Sequence, residues 1–308
     1  MDAAGPVAAE SPTWGRELAR TRWAHRTPTL QGLSFRFAVR CTDASVGAHI
    51  DGLLSSLRSP VPAAHWYSVV VGSSAVEVFL DDVLVARVDD VAQAVEWLCW
   101  DINRAVAATT SEHLVFHAGG VQVEERGLLL PGRSGTGKST LVAHLVRCGM
   151  RYLSDEVVAL DVSDSSLLGF PKAISIDPDG VGLSSELRDR CLAASPRGDE
   201  HREGTERASK LYLSPSHIRS GAVGSSCSLS LVVFPRYEHG ASTYLRRLSS
   251  GDAVLGLVTN CVNLDRHGAA GLDAIARLVD RCHCFELVMD GLPSASRLLL
   301  ALLERGAP

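Results

Sequence analysis

The chain has 308 residues, of which 46% are hydrophobic and 21% charged, and its net charge is −5. This length suffices for two domains, and the negative charge argues against a general affinity for nucleic acid or an anionic membrane. The sequence has no apolar run of the ~18 residues that span a bilayer, and its start, Met1-Asp2, is not that of a signal peptide. We therefore expect a cytoplasmic protein with no membrane or nucleic-acid partner.

The first third of the chain predicts a leader followed by a small domain. Residues 1–32 are rich in Ala, Pro, Arg and Thr without periodicity, so we expect a loose leader there. Strands, the last two forming a hairpin, are predicted at 33–39, 66–71, 76–80 and 83–88. A helix is predicted over 91–108, where apolar residues recur every three or four positions after Asp89-Asp90. Residues 33–111 are thus expected to form an α+β domain.

From residue 112 onward, strand and helix patterns alternate, which predicts an α/β domain over 112–308. The segment 113–123 is predicted to form a strand, a bend and a second strand. Further strands are predicted at 127–131, 151–153, 157–161, 228–235 and 284–289. Helices are predicted at 141–146, 270–279 and 294–303. The polar segment 183–210 is predicted to be an exposed loop.

One stretch of this second domain fits the pattern G-x-x-x-x-G-K-[ST], known as a P-loop or Walker A pattern. We call residues 132–140 the phosphate loop; they are Gly132, Arg133, Ser134, Gly135, Thr136, Gly137, Lys138, Ser139 and Thr140. A short apolar strand precedes the pattern and a helical pattern follows it, which is the context that a nucleotide-binding loop requires.

The residue types of the phosphate loop predict how it would bind a nucleotide. Its glycines allow successive N–H groups to point into one concavity, and the following helix adds the positive end of its dipole. Lys138 is expected to reach the β- and γ-phosphates, and the Ser139 hydroxyl to ligate Mg²⁺. ATP and Mg²⁺ are therefore the predicted cofactors.

An acid pair and a histidine flank the phosphate loop in the sequence. Asp155-Glu156 follows the strand predicted at 151–153, one helix after Lys138. If that strand lies beside the strand of the phosphate loop, both carboxylates face the phosphates. One carboxylate is then suited to hold the metal ion and the other to accept a proton from an attacking hydroxyl. His117 closes a predicted apolar strand, where it is either a structural residue or a neighbour of the γ-phosphate.

The eight cysteines are scattered along the chain. Only Cys282-His283-Cys284 brings two of them close together, and it has no second pair at the spacing of a zinc finger. We expect buried free thiols rather than a metal site.

The block from His117 through the phosphate loop to Arg151-Tyr152-Leu153-Ser154-Asp155-Glu156 resembles the catalytic core of the HPr kinase/phosphorylase family. It is closer still to HPr-kinase-related proteins, some of which occur beside peptide-modifying enzymes. The segments 170–175 and 233–237 also resemble that related group, so that the likeness covers about residues 112–300. The resemblance implies a P-loop kinase core of the HPr kinase/PEP-carboxykinase type, joined here to the small N-terminal α+β region.

The resemblance also implies roles for individual residues. Asp155 becomes the acid/base that deprotonates a substrate serine, and Ser139 and Glu156 become Mg²⁺ ligands. His117 becomes a residue near the transferred phosphate. In the predicted reaction Lys138 holds the triphosphate together with the loop amides, and it is counted with Asp155 and His117 among the catalytic residues. HPr kinases typically carry Asp-Asp where this chain has Asp155-Glu156, and the basic glycine-containing segment used in phosphorolysis has no copy here. We therefore do not expect the reverse reaction or HPr itself as the substrate.

Three functions are weighed on these grounds. The favoured one is an ATP-dependent serine kinase that acts on a peptide or small protein, in a homo-oligomer as the resemblance implies. The second is a kinase of small-molecule hydroxyls on the same core, with 33–110 and 183–210 closing over the substrate. The third is an ATP-binding regulatory subunit that transfers no phosphate.

Overall fold

The computed structural model describes residues 14–177 and 210–305, which form a mixed α/β structure. Its N-terminal sheet has the strand order β1-β3-β4-β5-β6, with β2 paired to β3. The strands are β1 (His25–Arg26), β2 (Leu30–Gly32), β3 (Phe35–Cys41), β4 (His65–Val71), β5 (Val76–Leu80) and β6 (Val83–Val88). The helices of this region are α1 (Trp14–Arg20), α2 (Ala44–Leu54) and α3 (Val91–Thr109).

Local sequence signals account for most of this region. The predicted hairpin is β5 and β6, and Asp81 adopts a positive φ of 54° at its turn. The Asp43 carboxylate accepts hydrogen bonds from two backbone N–H groups at the start of α2. The Asp90 carboxylate accepts one from Gln93 N at the start of α3. These caps satisfy N–H groups that the helices leave unpaired.

The prediction of a loose leader is wrong for the residues from 14 to 32. They form α1, β1 and β2, and the side chains of Leu18 and Leu30 are buried. Strands of two or three residues carry no readable periodicity, so that only their pairing with β3 reveals them. Residues 1–13 lie outside the described part of the chain.

The second sheet has the order β11-β10-β7-β8-β14-β16-β15, with β9 also paired to β7. Its strands are β7 (Leu114–Val123), β8 (Arg126–Pro131), β9 (Arg151–Ser154), β10 (Val157–Leu160), β11 (Ser166–Leu168), β14 (Cys227–Tyr237), β15 (Tyr244–Arg247) and β16 (His283–Met289). Strands β8, β14 and β16 run parallel, and β7 is antiparallel to β8. A separate antiparallel pair consists of β12 (Ile174–Ile176) and β13 (Leu211–Leu213).

Helices cover both faces of this sheet. They are α4 (Lys138–Arg147), α5 (Pro215–Ile218), α6 (Ser250–Asn260), α7 (Leu264–Arg281) and α8 (Leu292–Arg305). In β8, Leu128 and Leu130 pack in one core with α4 and α8, whereas Leu129 packs in the other with α6 and α7. Burial on both faces explains why the central strands are continuously apolar. No helix in the described ranges is long and apolar enough to cross a bilayer.

The segment 114–123 is one strand, whereas the sequence predicted two strands around a bend. The glycine at 119 does not mark a bend; it allows α4 to pack closely against β7. A Cβ atom on Gly119 would lie 2.7 Å from Val142 Cγ2 of α4. The C-terminal helix predicted at 270–279 is longer than expected, since α7 begins at Leu264 and continues past a kink at Gly268.

The N-terminal region and the second sheet share a hydrophobic core. Phe37, Tyr67 and Ile102 of the first belong to the same buried cluster as Val115 and Val157 of the second. The division into domains at residue 111 stays a prediction. The loop predicted at 183–210 lies outside the described residues except for Lys210.

Candidate phosphate-binding site

The phosphate loop connects β8 to α4. Gly135 and Gly137 adopt φ angles of 84° and 85°, a region that favours glycine, so that the chain turns sharply before the helix. Gly137 occupies the N-cap position of α4, where no side chain caps the helix. The N-terminal N–H groups of this ten-residue helix are therefore available to an anion, and the exposed residues 133–135 leave the loop open to solvent.

The Lys138 side chain is folded back into the phosphate loop. Its Nζ atom donates to the carbonyl oxygens of Gly132, at 2.5 Å, and Arg133, at 2.7 Å. Nζ also lies 3.3 Å from His117 Nε2. Burial lowers the pKa of the Lys138 ammonium to about 8, although the carboxylates of Glu156 and Asp155 oppose this shift. A bound polyphosphate would stabilise the charged form that burial disfavours.

His117 lies on β7, directly beside the start of the phosphate loop, because Gly132 N donates to His117 O at 3.5 Å. Burial lowers the pKa of its imidazole, and the nearby charge of Lys138 lowers it further. His117 is therefore neutral at pH 7, and its Nε2 atom is suited to accept a hydrogen bond from Lys138 Nζ. The structure thus brings two of the predicted site residues together.

The acid pair lies across β7 from the phosphate loop. Strands β9 and β10 both pair with β7, and Asp155-Glu156 forms the break between them. The condition considered from the sequence, that β9 lies beside β8, is not met, because β7 intervenes. The intervening strand carries His117, whose partner in β10 is Val157, so that the acid pair still adjoins His117.

The Asp155 carboxylate is completely buried and both its oxygens are engaged. Oδ1 accepts a hydrogen bond from the Tyr152 hydroxyl at 2.9 Å and lies 3.4 Å from Lys172 Nζ. Oδ2 accepts one from Ser175 N at 2.9 Å. Asp155 is 0% exposed, so that this arrangement presents no oxygen to a substrate. Its predicted role as the acid/base stays a prediction.

The Glu156 carboxylate is partly exposed, at 23% of its side chain. Its oxygens lie 3.6 Å from Lys172 Nζ and 4.0 Å from Lys210 Nζ, and Asn103 of α3 donates a hydrogen bond to it. Burial opposes ionisation of Glu156, but the two lysine charges outweigh burial and lower its pKa. Glu156 is thus held ionised by residues from three separate parts of the chain.

Sequence analysis missed Lys172, Lys210 and Asn103. The chain contains three lysines, at 138, 172 and 210, and all three lie within electrostatic range of Glu156. Lys172 stands in an apolar run and is 0% exposed, and a charged residue in such a run signals a buried partner. Asn103 gave no such signal, because its contact depends on how α3 packs against the second sheet.

A cavity of about 490 Å³ opens beside these groups. His117 and Glu156 form part of its wall together with Phe116 and Val157, and residues of α3, of the connection between α6 and α7 and of the start of α7 form the rest. The N-terminal region therefore contributes directly to the site.

The residues present fit nucleotide-bound Mg²⁺ rather than a metal site built by the protein alone. The described residues contain no group of three or more His, Cys, Asp and Glu side chains that could hold a metal ion. Mg²⁺ in nucleotide sites takes one or two protein ligands, with phosphate oxygens and water completing the shell. Ser139, half-buried in the first turn of α4, would be such a ligand, and the predicted ligation by Glu156 stays a prediction.

No protein-family model matches the chain, and no curated protein matches it. Among solved structures, the chain is similar to the Hpr(Ser) kinase/phosphatase from Coxiella burnetii. The two share 13% sequence identity, the match covers 62% of this chain and 94% of the other, and the TM-score is 0.30.

Proposed function

We propose that the protein is an ATP-dependent kinase that transfers the γ-phosphate to a hydroxyl, with a serine of a peptide or small protein as the acceptor. The observation that supports this most is the grouping of Lys138, His117 and Glu156 where the phosphate loop begins. A protein that merely bound ATP would not need an ionised carboxylate beside the phosphate lysine and next to an open cavity.

In this proposal the phosphate loop and Lys138 bind the triphosphate, and Mg²⁺ neutralises charge on the β- and γ-phosphates. Lys138 releases the carbonyl oxygens of Gly132 and Arg133 and turns its charge to the phosphates. His117, neutral and adjacent, orients the Lys138 ammonium through Nε2. Catalysis then depends mainly on position and electrostatics, as phosphoryl transfer generally allows.

We assign Glu156 as the base that accepts the proton of the acceptor hydroxyl, since Glu156 lines the cavity whereas the Asp155 carboxylate is completely buried. The serine Oγ–H bond gives its proton to Glu156, and Oγ bonds to the γ-phosphorus. The bond from that phosphorus to the bridging oxygen breaks, which leaves ADP. Asp155 then acts as an anchor that fixes Lys172 and, through it, Glu156.

Transfer of label from γ-labelled ATP to serine peptides tests this assignment. Glu156→Gln should lower the transfer rate at least about 100-fold and leave the affinity for Mg·ATP unchanged, because it removes the proton acceptor and little volume. Glu238→Gln is the matched control, since Glu238 is an exposed glutamate paired with Arg236. It should leave transfer unchanged.

Other results would reassign the carboxylates. Loss of Mg²⁺-dependent ATP affinity in Glu156→Gln would make Glu156 a metal ligand. If Glu156→Gln transfers phosphate at the full rate, Glu156 is not the base. If Asp155→Asn then binds ATP but transfers no phosphate, the base is Asp155. Tight ATP binding by the wild type without transfer to any acceptor would favour a regulatory subunit.

A further inference from the structure

The cavity beside Glu156 lies between two parts of the fold. One side is α3, through Trp100 and Asn103, and the opposite side includes Val262 from the connection between α6 and α7. His117 and Glu156 belong to the same wall as the buried Phe116 of β7. Its volume of about 490 Å³ is within the range of sites that hold small ligands or short chain segments.

We propose that this cavity receives the phosphate acceptor, and that the acceptor is a flexible peptide segment whose serine is flanked by an apolar side chain. The inference rests on the proposed kinase function and adds to it the location and the chemistry of acceptor recognition. It makes α3 of the N-terminal region part of the substrate site.

Three polar residues of the cavity wall, Asn103, His117 and Glu156, lie together where a hydroxyl is needed. Of the other polar residues in the wall, Arg104, Asn263 and Arg266 are bonded to other parts of the chain, and Asp265 completes the polar lining. Glu156 accepts a hydrogen bond from the Asn103 amide and adjoins His117, which contacts Lys138. The Asn103 Oδ1 atom is buried and has no hydrogen-bond partner among the described residues. An unsatisfied buried oxygen is unfavourable, and a small shift of this side chain on binding would let a donor of the acceptor satisfy it. A serine entering here would meet an ionised carboxylate at its hydroxyl.

The rest of the wall is mainly apolar. Phe116 and Val157 are buried behind it, and Trp100 and Val262 stand at the edge with 53% and 51% of their surface exposed. Exposed large apolar side chains at the edge of a cavity are typical of sites that bind an apolar group. The residue next to the acceptor serine should therefore be apolar.

The half-exposed edge also favours a chain segment over a small molecule. A small-molecule site usually encloses most of its ligand, whereas Trp100 and Val262 leave the cavity open to solvent. A peptide can place one or two side chains inside and continue outward over Trp100. A folded protein surface could not bring its serine to Glu156 without a protruding loop.

Three peptides of equal length test the proposal on the full chain: acetyl-Ala-Leu-Ser-Leu-Ala-amide and the versions with aspartate or lysine in place of leucine. With Mg·ATP, the leucine peptide should be phosphorylated with a kcat/KM at least about tenfold above either charged peptide. Trp100→Ala should lower that kcat/KM about tenfold, mainly through KM, without changing ATP affinity. Trp97→Ala is the control on the same helix, because Trp97 is exposed and does not line the cavity. Its ring packs edge-on against that of Trp100, with the centroids 5.1 Å apart, so that its loss of kcat/KM should be clearly smaller than that of Trp100→Ala.

Binding measured without transfer separates this inference from the kinase proposal. A fluorescein-labelled leucine peptide, titrated with a non-hydrolysable ATP analogue present, should bind Trp100→Ala about tenfold more weakly than wild type, and Trp97→Ala clearly more tightly than Trp100→Ala. Peptide binding without phosphorylation would contradict the kinase proposal and support the cavity as a peptide site. Equal affinity for all three peptides, equal losses in both tryptophan variants, or phosphorylation of small apolar alcohols but no peptide would overturn the inference.

Discussion

The phosphate loop and the segment 170–175 each bury one lysine near the acid pair, but the two ammonium groups have different partners. Lys172 Nζ lies 3.4 Å from Asp155 and 3.6 Å from Glu156, and these carboxylates outweigh the effect of burial and raise its pKa. Lys138 forms no ion pair among the described residues, and burial lowers its pKa.

This difference separates a structural lysine from one that is ready to bind a ligand. The charge of Lys172 is already compensated, so that it holds the acid pair in place. Lys138 donates to carbonyl oxygens and lies beside a neutral histidine, and the carboxylates of Glu156 and Asp155 act on it without forming an ion pair. A bound phosphate would therefore give its ammonium group a directly paired negative charge. The predictions below change one lysine at a time.

Replacement of Lys172 should have the largest effect on stability. Lys172→Met leaves the Asp155 carboxylate buried without its counter-charge, which costs about 3–5 kcal/mol of unfolding free energy. Urea denaturation measures this loss. Lys210→Met is the matched control, because Lys210 is 41% exposed and pairs with Glu156 at 4.0 Å, so that its loss should stay below about 1 kcal/mol. Equal stability of the two variants would contradict the distinction between the lysines.

Replacement of Lys138 should instead affect ligand binding. Lys138→Met removes the charged hydrogen bonds to the phosphates, worth about 3 kcal/mol or roughly 100-fold in the Kd of ATP. Its unfolding free energy should fall much less than that of Lys172→Met, because the native fold already disfavours the charged form of Lys138. Calorimetric titration with ATP measures the change in Kd, and urea denaturation of the same samples measures the change in unfolding free energy. An unchanged Kd would remove Lys138 from the phosphate site.

The pH dependence of ATP binding gives a smaller but specific effect. The pKa of Lys138 is about 8 in the free protein, so that below pH 8 the ammonium is charged and binding requires no proton. Above pH 8 binding must take up a proton, and the affinity should fall by up to about tenfold per pH unit. Calorimetry at pH 9 in buffers of different ionisation enthalpy should detect this uptake, which Lys138→Met should abolish. No uptake by the wild type would contradict the lowered pKa.

The nearness of His117 and Asp155-Glu156 follows from the pairing of β10 with β7 and not from a local pattern. The phosphate loop, with its flanking strand and helix, could be predicted from the sequence, because it depends on local patterns. The pairing of β9 with β7 could not, since the sequence of a buried strand does not specify its neighbour. The enclosure of Asp155 depends on Tyr152, Lys172 and Ser175, which meet only in the folded chain.

The lysine composition offered a signal that sequence analysis did not use. Only three of the 30 basic residues are lysines, and all three lie within electrostatic range of one glutamate, Glu156. Arginine is the more usual partner of buried carboxylates because its planar group forms two parallel hydrogen bonds. Lysine at all three positions is consistent with a site that needs compact point charges.

The same three lysines allow the contrast between the phosphate loop and segment 170–175 to be measured directly. In protein labelled with ¹³C at lysine Cε, NMR should show three signals, assigned with Lys138→Met and Lys210→Met. The Lys138 signal should titrate near pH 8, shift on addition of Mg·ATP and then stay protonated to higher pH, whereas the Lys172 signal should not titrate while the protein is folded. A Lys138 signal that titrates near the ordinary pKa of lysine, or that does not shift on addition of Mg·ATP, would contradict the role of Lys138 in phosphate binding.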